Sequence, residues 1–421
     1  MVIRKKNEDK KMEIMVPVGS YESLSAAIKA GANSVYFGIG KLNMRARSAV
    51  NFALNDLEKI SRICREKNVK TYLTLNTVMY DEDLKEIEKI CQAVKKNKIN
   101  AVIACDMAVI EYARSIGVEV HMSTQTNISN IEAVKFYSNF ADVIVLAREL
   151  TLEQIKKICG QIKKRNIKGP NGKLVKVEIF VHGALCVSIS GKCYMSLALY
   201  NSSANRGSCY QSCRRKYRVT DEETGDELSI DNNYIMSPKD LCTIGSIDKF
   251  IEAGVNVFKI EGRGRSPDYV YSVVKAYKEA VESYYAGNYT KEKIKKWIKE
   301  LESVFNRGFW QGGYYLGKKA GEWAGIYGSN AEKEKHFIGI IKHSFPKAKC
   351  AEIEIQKEEL DVGDEILITG EKTGVVKYIL KSIFVNAKSA KSADKNSKDV
   401  SISVPEIVRK NDKVYVLKKR D

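Results

Sequence analysis

The chain has no run of about 18 apolar residues, the length a membrane-spanning helix needs. Its first stretch, MVIRKKNEDKKMEIMV, is charged and lacks the apolar core of a secretory signal. Both absences point to a cytoplasmic protein. There is no H-E-x-x-H helix for a catalytic zinc and no G-x-S-x-G elbow for a serine nucleophile. No G-x-G-x-x-G follows the first strand-like segment, so the fingerprint of a dinucleotide-binding sheet is missing. Charge is not blocked either. The 70 Lys and Arg stand against 52 Asp and Glu, and the net charge of +18 is spread along the chain. Such an excess suits a polyanion such as RNA, or else a lysine-rich solvated surface. With 421 residues, 44% of them hydrophobic, the chain is long enough for two or three domains and a large core.

What is present is an alternation of short apolar strands and amphipathic helices. Strand-like segments fall at 13–18, 34–40, 70–78, 101–106, 119–126, 142–148, 176–182 and 256–263, most followed by a helical pattern. Near-continuous apolar strands imply parallel pairing with both faces covered, and a count of eight favours a (β/α)8 TIM-like barrel over a doubly wound sheet. The expected organisation is a charged tail over 1–12 and a barrel over 13–288, with a cysteine-rich insertion at 183–242 after strand seven. A helix and Gly/aromatic arm follow over 289–330, then a small all-β barrel domain over 331–421. Within that last domain NAKSAKSADKNSKD, 386–399, is polar and low in complexity and reads as a mobile loop.

Four of the ten cysteines, Cys186, Cys193, Cys209 and Cys213, fall in one Gly/Ser-rich stretch, and Cys242 follows in SPKDLC. In a reducing compartment such a group reads as metal ligands or redox thiols rather than disulfides. Cys64, Cys91, Cys159 and Cys350 sit in helical or strand patterns and Cys105 at a strand end, where a cysteine behaves as a small hydrophobe. Structural zinc usually shows two tight cysteine pairs, and only Cys209 and Cys213 come close. Wide spacing with a single close pair fits an iron–sulfur cluster somewhat better, but spacing leaves both open.

In a barrel of this class the chemistry sits at the C-terminal ends of the strands. Those positions hold Arg45, Arg47, Asn76, Ser123, Thr124, Gln125, Arg148, Glu149, His182, Glu261 and Arg263. Several arginines converging on one mouth suit a ligand with more than one carboxylate or phosphate, because the guanidinium fork binds such groups bidentately. Each residue also has a plain structural role open to it. Arg148 and Glu149 can pair with each other, Asn76 and Gln125 can satisfy backbone, Arg45 and Arg47 can be solvated loop charges, and His182 can be a packed core histidine.

The run Glu178, Phe180, Gly183, Ala184, Leu185, Cys186, Gly191, Cys193, Met195, Ser196 resembles the signature of the collagenase-like peptidase family, whose catalytic type is unknown. P-x-G-S-Y-E-S-L, YFG with N-x-R-A-R, STQ, LARELTLEQI, RGSC-x₃-CR, SPKDLC and KIEGR-x-RSP-x-YV fit as well, so the resemblance covers about 13–320. What it implies is divided. The older label is peptidase. The branch of prephenate-dependent tRNA uridine 5-hydroxylation proteins implies instead hydroxylation of wobble uridine, with prephenate as co-substrate and tRNA as partner. That resemblance implies a [4Fe-4S] cluster on Cys186, Cys193 and Cys209, with Cys242, or alternatively Cys213, as fourth ligand. It further implies Arg45, Arg47, Asn76, Gln125, Arg148 and Arg263 in binding, His182 and Glu261 as proton-transfer groups, and a paralogous family subunit as a further partner. A peptidase using Cys186 with His182, and an RNA-binding protein with structural zinc, are the other readings.

Overall fold

The computed structural model describes residues 12–218, 220–225, 236–317 and 323–420. The tail expected over 1–12 lies, apart from Met12, outside the described residues. The sheet strands of the first domain are β1 (Glu13–Pro17), β2 (Ser34–Gly38), β3 (Lys70–Leu75), β4 (Ala101–Ala104), β5 (Glu119–Met122), β6 (Val143–Val145), β7 (Lys176–Gly183), β8 (Asp240–Cys242), β9 (Val257–Ile260) and β10 (Phe309–Gln311). Strands β1 to β7 pair in sequence order and in parallel, and β9 lies parallel between β7 and β1. The result is a closed eight-stranded parallel barrel whose eighth member is β9, from the segment expected at 256–263. The strands are buried along nearly their whole length, which is why they read as unbroken apolar runs rather than alternating ones.

The surrounding helices start where a side chain can take over an orphan N–H. Ser20, Asp106, Asn130 and Thr151 each accept from the backbone of the first turn. Their inward stripes absorb several cysteines as expected: Cys64, Cys91 and Cys159 are buried on helix faces. Burial pushes the Cys64 and Cys91 thiols up to about 12.

Strands β8 and β10 are additions to the barrel. β8 runs antiparallel to the end of β7, with Cys242 opposite His182, and β10 pairs with β8 in parallel. The Gly/aromatic arm therefore enters the same sheet through Phe309–Gln311, and Trp310 is fully buried.

The C-terminal domain is an eight-stranded antiparallel sheet. Its order is Gly374–Ile379, Glu365–Gly370, Lys413–Lys419, Lys333–Phe345, Cys350–Ile355, Val400–Ser403, Ile383–Val385 and Lys388–Ala390. All but the last send buried side chains into one core, and the last packs Ala390 against it. The two outermost strands are not hydrogen-bonded to each other in that order, so the sheet wraps its core without a closing ladder. The segment 386–399 is not a loop throughout. Asn386 and Ala387, both at positive φ, make a two-residue hairpin from Ile383–Val385 into Lys388–Ala390, and Ser392–Ala393 pairs with Leu360–Asp361. A primed turn carried by Asn-Ala rather than Asn-Gly leaves a weak signal. The domain rests on the helix Tyr21–Lys29, where Ala26 joins Leu367 and Val375 in a small core. Lys29 Nζ donates to the Val375 carbonyl at 2.7 Å. Among the described residues no helix is long and apolar enough to cross a membrane.

Inside the barrel, Lys259 on β9 pairs with Glu178 on β7 at 2.7 Å, both buried, and the ammonium lies 4.7 Å from the Tyr36 ring centroid. Removing one partner leaves an uncompensated buried charge. Glu178→Ala is expected to cost about 3–5 kcal/mol in chemical denaturation, and adding Lys259→Met should recover most of it. A loss below about 1 kcal/mol in the single variant would contradict this account.

Candidate active site at the barrel mouth

The insertion that leaves β7 at Gly183 folds back as a roof over the strand ends. It contains the helix Met195–Tyr200 and two short turns, Ala204–Arg206 and Ser212–Arg214. Loops from several strands pin it. Asn127 Nδ2 donates to the Ser190 carbonyl at 3.1 Å, the Arg47 N–H to the Gly207 carbonyl at 3.1 Å, and the Val78 N–H to the Asn205 carbonyl at 3.1 Å. Arg206 pairs with Asp83. The approach at Gly207 requires glycine: φ is +86° and a Cβ would stand 2.3 Å from the Asn43 carbonyl oxygen.

Beneath the roof lies a cavity of about 220 Å³. It is lined by Arg45, Arg148, Arg214, Arg263, Arg265, Arg307 and Lys259, and Glu261 is the one carboxylate among its lining residues. Arg45 donates to Glu261 Oε1 from Nη2 at 2.6 Å and from Nε at 3.1 Å. Arg307 is 3.5 Å from Asp240, and Arg214 donates to Ser237 Oγ and the Pro238 carbonyl at 3.0 and 2.8 Å. The Arg265 guanidinium lies 3.4 Å from the Phe305 ring centroid. Arg263 is buried and its Nη1 donates to Thr74 Oγ1 at 2.7 Å, with no carboxylate partner among the described residues. Arg148 makes no hydrogen bond or ion pair with a described residue. Gly38, at the end of β2, leaves the space: a Cβ there would meet Arg263 Nη1 at 2.4 Å.

Burial pulls Arg263 down to about 10, with Tyr36 opposing and Arg45 reinforcing the shift. At Glu261 burial pushes the carboxyl up, but Arg45, followed by Arg265 and Arg263, more than offsets it and the net shift is downward. Glu261 is therefore an anion at neutral pH. On the far side Asn76 Nδ2 donates to Ser123 Oγ at 3.2 Å and Gln125 Oε1 at 3.4 Å, while its Oδ1 accepts from the Met44 N–H at 3.3 Å.

Cys186, Cys209 and Cys213 line the same cavity. Burial pushes the Cys213 thiol up to about 11 with Arg214 opposing, and Cys186, Cys209 and Cys193 lie near enough to reinforce the rise, so the four thiols share one flank of the mouth. All are free. Among the described residues no group of three or more His, Cys, Asp or Glu side chains is placed to hold a metal ion. In number and softness the four thiols fit the donor set of a thiolate-held cluster. Cys242 stands apart. It is buried in β8, opposite His182, and burial pushes its thiol up to about 11. Of the two alternatives for a fourth thiol, Cys213 lines the cavity and Cys242 lies in the sheet between β7 and β10.

The structure corrects two further expectations. His182 is buried away from the cavity, against Tyr277, Tyr269 and Phe309, with Nδ1 3.5 Å from the Tyr277 hydroxyl. Phe180 lines the cavity, and strict alternation would send His182 the same way. A register shift between the two in the β7–β9 ladder breaks the alternation. Burial, then the nearby Arg265 charge, lowers His182 to about 3, so it is neutral and structural. Arg47 lies outside the cavity on the surface, its guanidinium 3.6 Å from the Tyr210 ring centroid. Glu149 is exposed and unpaired with Arg148. Sequence reasoning missed Arg214, Arg265, Arg307 and Lys259. Arg265 was visible two residues beyond Arg263, whereas Arg214 and Arg307 reach the mouth only through the roof and the arm.

The family model described as peptidase family U32 matches residues 19–325. The chain belongs to peptidase family U32. This U32 chain is 56% identical, over 97% of its length and 98% of the relative's, to a protein of Porphyromonas gingivalis named collagenase. It is 29% identical over 89% of its length, and 87% of the relative's, to tRNA hydroxylation protein P1 of Bacillus subtilis. With a 23S rRNA 5-hydroxycytidine synthase of Escherichia coli it shares 33% identity over 65% of its length, but only 40% of the relative's.

Because His182 is depressed to about 3 when folded and titrates near 6.5 when unfolded, the unfolded chain binds the extra proton between those values. The U32 chain should lose stability as pH falls below about 6.5. At pH 5 the loss traceable to this ring is about 2 kcal/mol. Urea unfolding at pH 7 and 5 should show a smaller drop for His182→Gln than for the native chain. Equal drops would contradict a neutral buried ring.

Proposed function

We propose that this chain hydroxylates an RNA pyrimidine, the wobble uridine of tRNA becoming 5-hydroxyuridine, with prephenate as dicarboxylate co-substrate. The observation that carries the reading is the cavity itself, where six arginines and Lys259 gather with Glu261 as the one lining carboxylate, Lys259 being paired with Glu178 and Arg307 with Asp240, beside four free thiols. Seven buried or half-buried cations against three carboxylates leave an excess that suits a small polyanion. Arg148 and Arg263, which have no carboxylate partner among the described residues, take the two carboxylates. Arg45 holds Glu261 ionised and oriented, so that Glu261 accepts rather than donates a proton. Asn76, Ser123 and Gln125 offer the donors and acceptors that read a pyrimidine edge, and the pinned roof excludes water. Cys186, Cys193 and Cys209, with Cys242 or alternatively Cys213 as the fourth thiol, would hold a [4Fe-4S] cluster, which when bound supplies one-electron chemistry absent from these side chains. Relatives named for tRNA hydroxylation and for rRNA 5-hydroxycytidine synthesis agree with the reading.

A peptidase is the second reading, favoured by the 56% identity to a protein named collagenase. Against it, the exposed Cys186 has no histidine base: His182 is buried beside Tyr277. A peptidase would cleave gelatin after iron chelation and depend on one cysteine rather than four.

Protein purified without oxygen is expected to carry about four irons and four sulfides per chain, with a broad visible band lost in Cys193→Ala. Zinc in their place would sink the redox reading. In a reconstituted assay, Arg148→Met or Arg263→Met should raise the KM for prephenate roughly ten- to hundredfold, the effect of losing a charge-assisted hydrogen bond. Nucleoside analysis of tRNA should then show 5-hydroxyuridine with the native chain only.

A further inference from the structure

Outside the cavity, the roof carries a column of flat groups that the site chemistry does not use. The Tyr200 and Tyr210 rings stack with centroids 4.6 Å apart and planes within 24°. The Arg47 guanidinium lies 3.6 Å from the Tyr210 centroid. Two groups that close to one ring cannot share a face, so Arg47 and Tyr200 cover opposite faces of Tyr210. Arg215 Nη1 donates to the Tyr200 hydroxyl and fixes that end. The Arg215 guanidinium also lies 5.4 Å from the Tyr200 ring centroid, so a flat cation flanks the column at each end, and Tyr200, 37% exposed, and Arg47 both reach the surface. Tyr194, 69% exposed, and Leu199, 55% exposed, lie on the same segment, interleaved with the exposed cations Lys192 and Arg215. The column also abuts the mouth. Tyr210 follows Cys209, and Arg47 follows Arg45 by two positions; Cys209 and Arg45 both line the cavity.

Resting on the RNA reading above, we propose that the Arg47–Tyr210–Tyr200 column is a stacking platform for unpaired RNA bases next to the base that enters the cavity. Aromatic faces and guanidinium planes take bases from single-stranded loops, and the adjacent cations take the phosphates. A protein-docking patch would be depleted of lysine at its centre, whereas this segment interleaves cations with aromatics on a chain of net charge +18.

The test is fluorescence anisotropy with a labelled RNA hairpin bearing a seven-base unpaired loop, against a fully paired RNA of the same length. The native chain should prefer the hairpin. Tyr200→Ala should weaken hairpin binding on the order of tenfold, the loss of one base stack, while leaving duplex binding and the salt slope as they are. Tyr200→Phe should stay near native. Arg47→Ala, which removes a stacking plane and a charge together, should weaken hairpin binding more than duplex binding and reduce the salt slope by about one. Unchanged hairpin affinity in Tyr200→Ala overturns the platform, and so does a change confined to self-association in sedimentation, which would make the face a protein contact. Unchanged KM for tRNA in that variant removes the platform while leaving the hydroxylase reading intact. Iron-loaded native chain that binds the hairpin through Tyr200 yet modifies no tRNA nucleoside removes the hydroxylase reading and keeps the platform.

Discussion

One carboxylate holds together a mouth built of buried and half-buried guanidinium groups. Glu261 is enclosed with Arg45, Arg263 and Arg265 around it, and only Arg45 is bonded to it within hydrogen-bond distance. Bringing several cations out of water into one cavity is unfavourable unless an anion shares the space. The fold meets part of that cost through Glu261, Asp240, Glu178 and the Phe305 ring. The remainder is a standing attraction for a small anion, and it explains why the roof, rather than the barrel alone, defines the cavity. Arg214 and the thiols come from the roof, Arg307 from the arm, and the barrel strands supply the rest.

Much of the barrel was legible because both faces of each strand are covered, which turns the strands into unbroken apolar runs such as SVYFG and AVIA. The positions of Arg45, Asn76, Gln125, Arg148, Glu261 and Arg263 were legible for the same reason: a strand end in a barrel points at one place. His182 was misread because one register irregularity next to it reverses the direction that periodicity assigns. Cys242 could not be separated from Cys213 by spacing, since nothing in SPKDLC says that the segment becomes a strand beside β7. The Asn386–Ala387 hairpin escaped notice because its second strand, Lys388–Ala390, is short and mostly polar and its turn has no glycine.

The mouth works on two scales. Inside, fixed cations and the Asn76–Ser123–Gln125 set present a small polar volume. Outside, the Arg47–Tyr210–Tyr200 column and the Arg206–Tyr80 contact, 3.9 Å from guanidinium to ring centroid, present flat exposed surfaces on the roof and the loops it grips. The same loop, 43–47, serves both: Arg45 turns inward to Glu261 and Arg47 outward to Tyr210. Movement of that loop would disturb small-molecule and macromolecular contacts together.

The strand order carries a consequence for the order of assembly during synthesis. Asp240–Cys242, the return limb of the roof, is flanked by β7 on one side and by Phe309–Gln311 on the other. The second neighbour is translated only after β9 and the helices Pro267–Tyr285 and Lys291–Glu302. A nascent chain can therefore close its barrel while the roof still lacks one of its two ladders. A chain cut short before Phe309 would carry every strand of the barrel while Asp240–Cys242 lacked its outer partner.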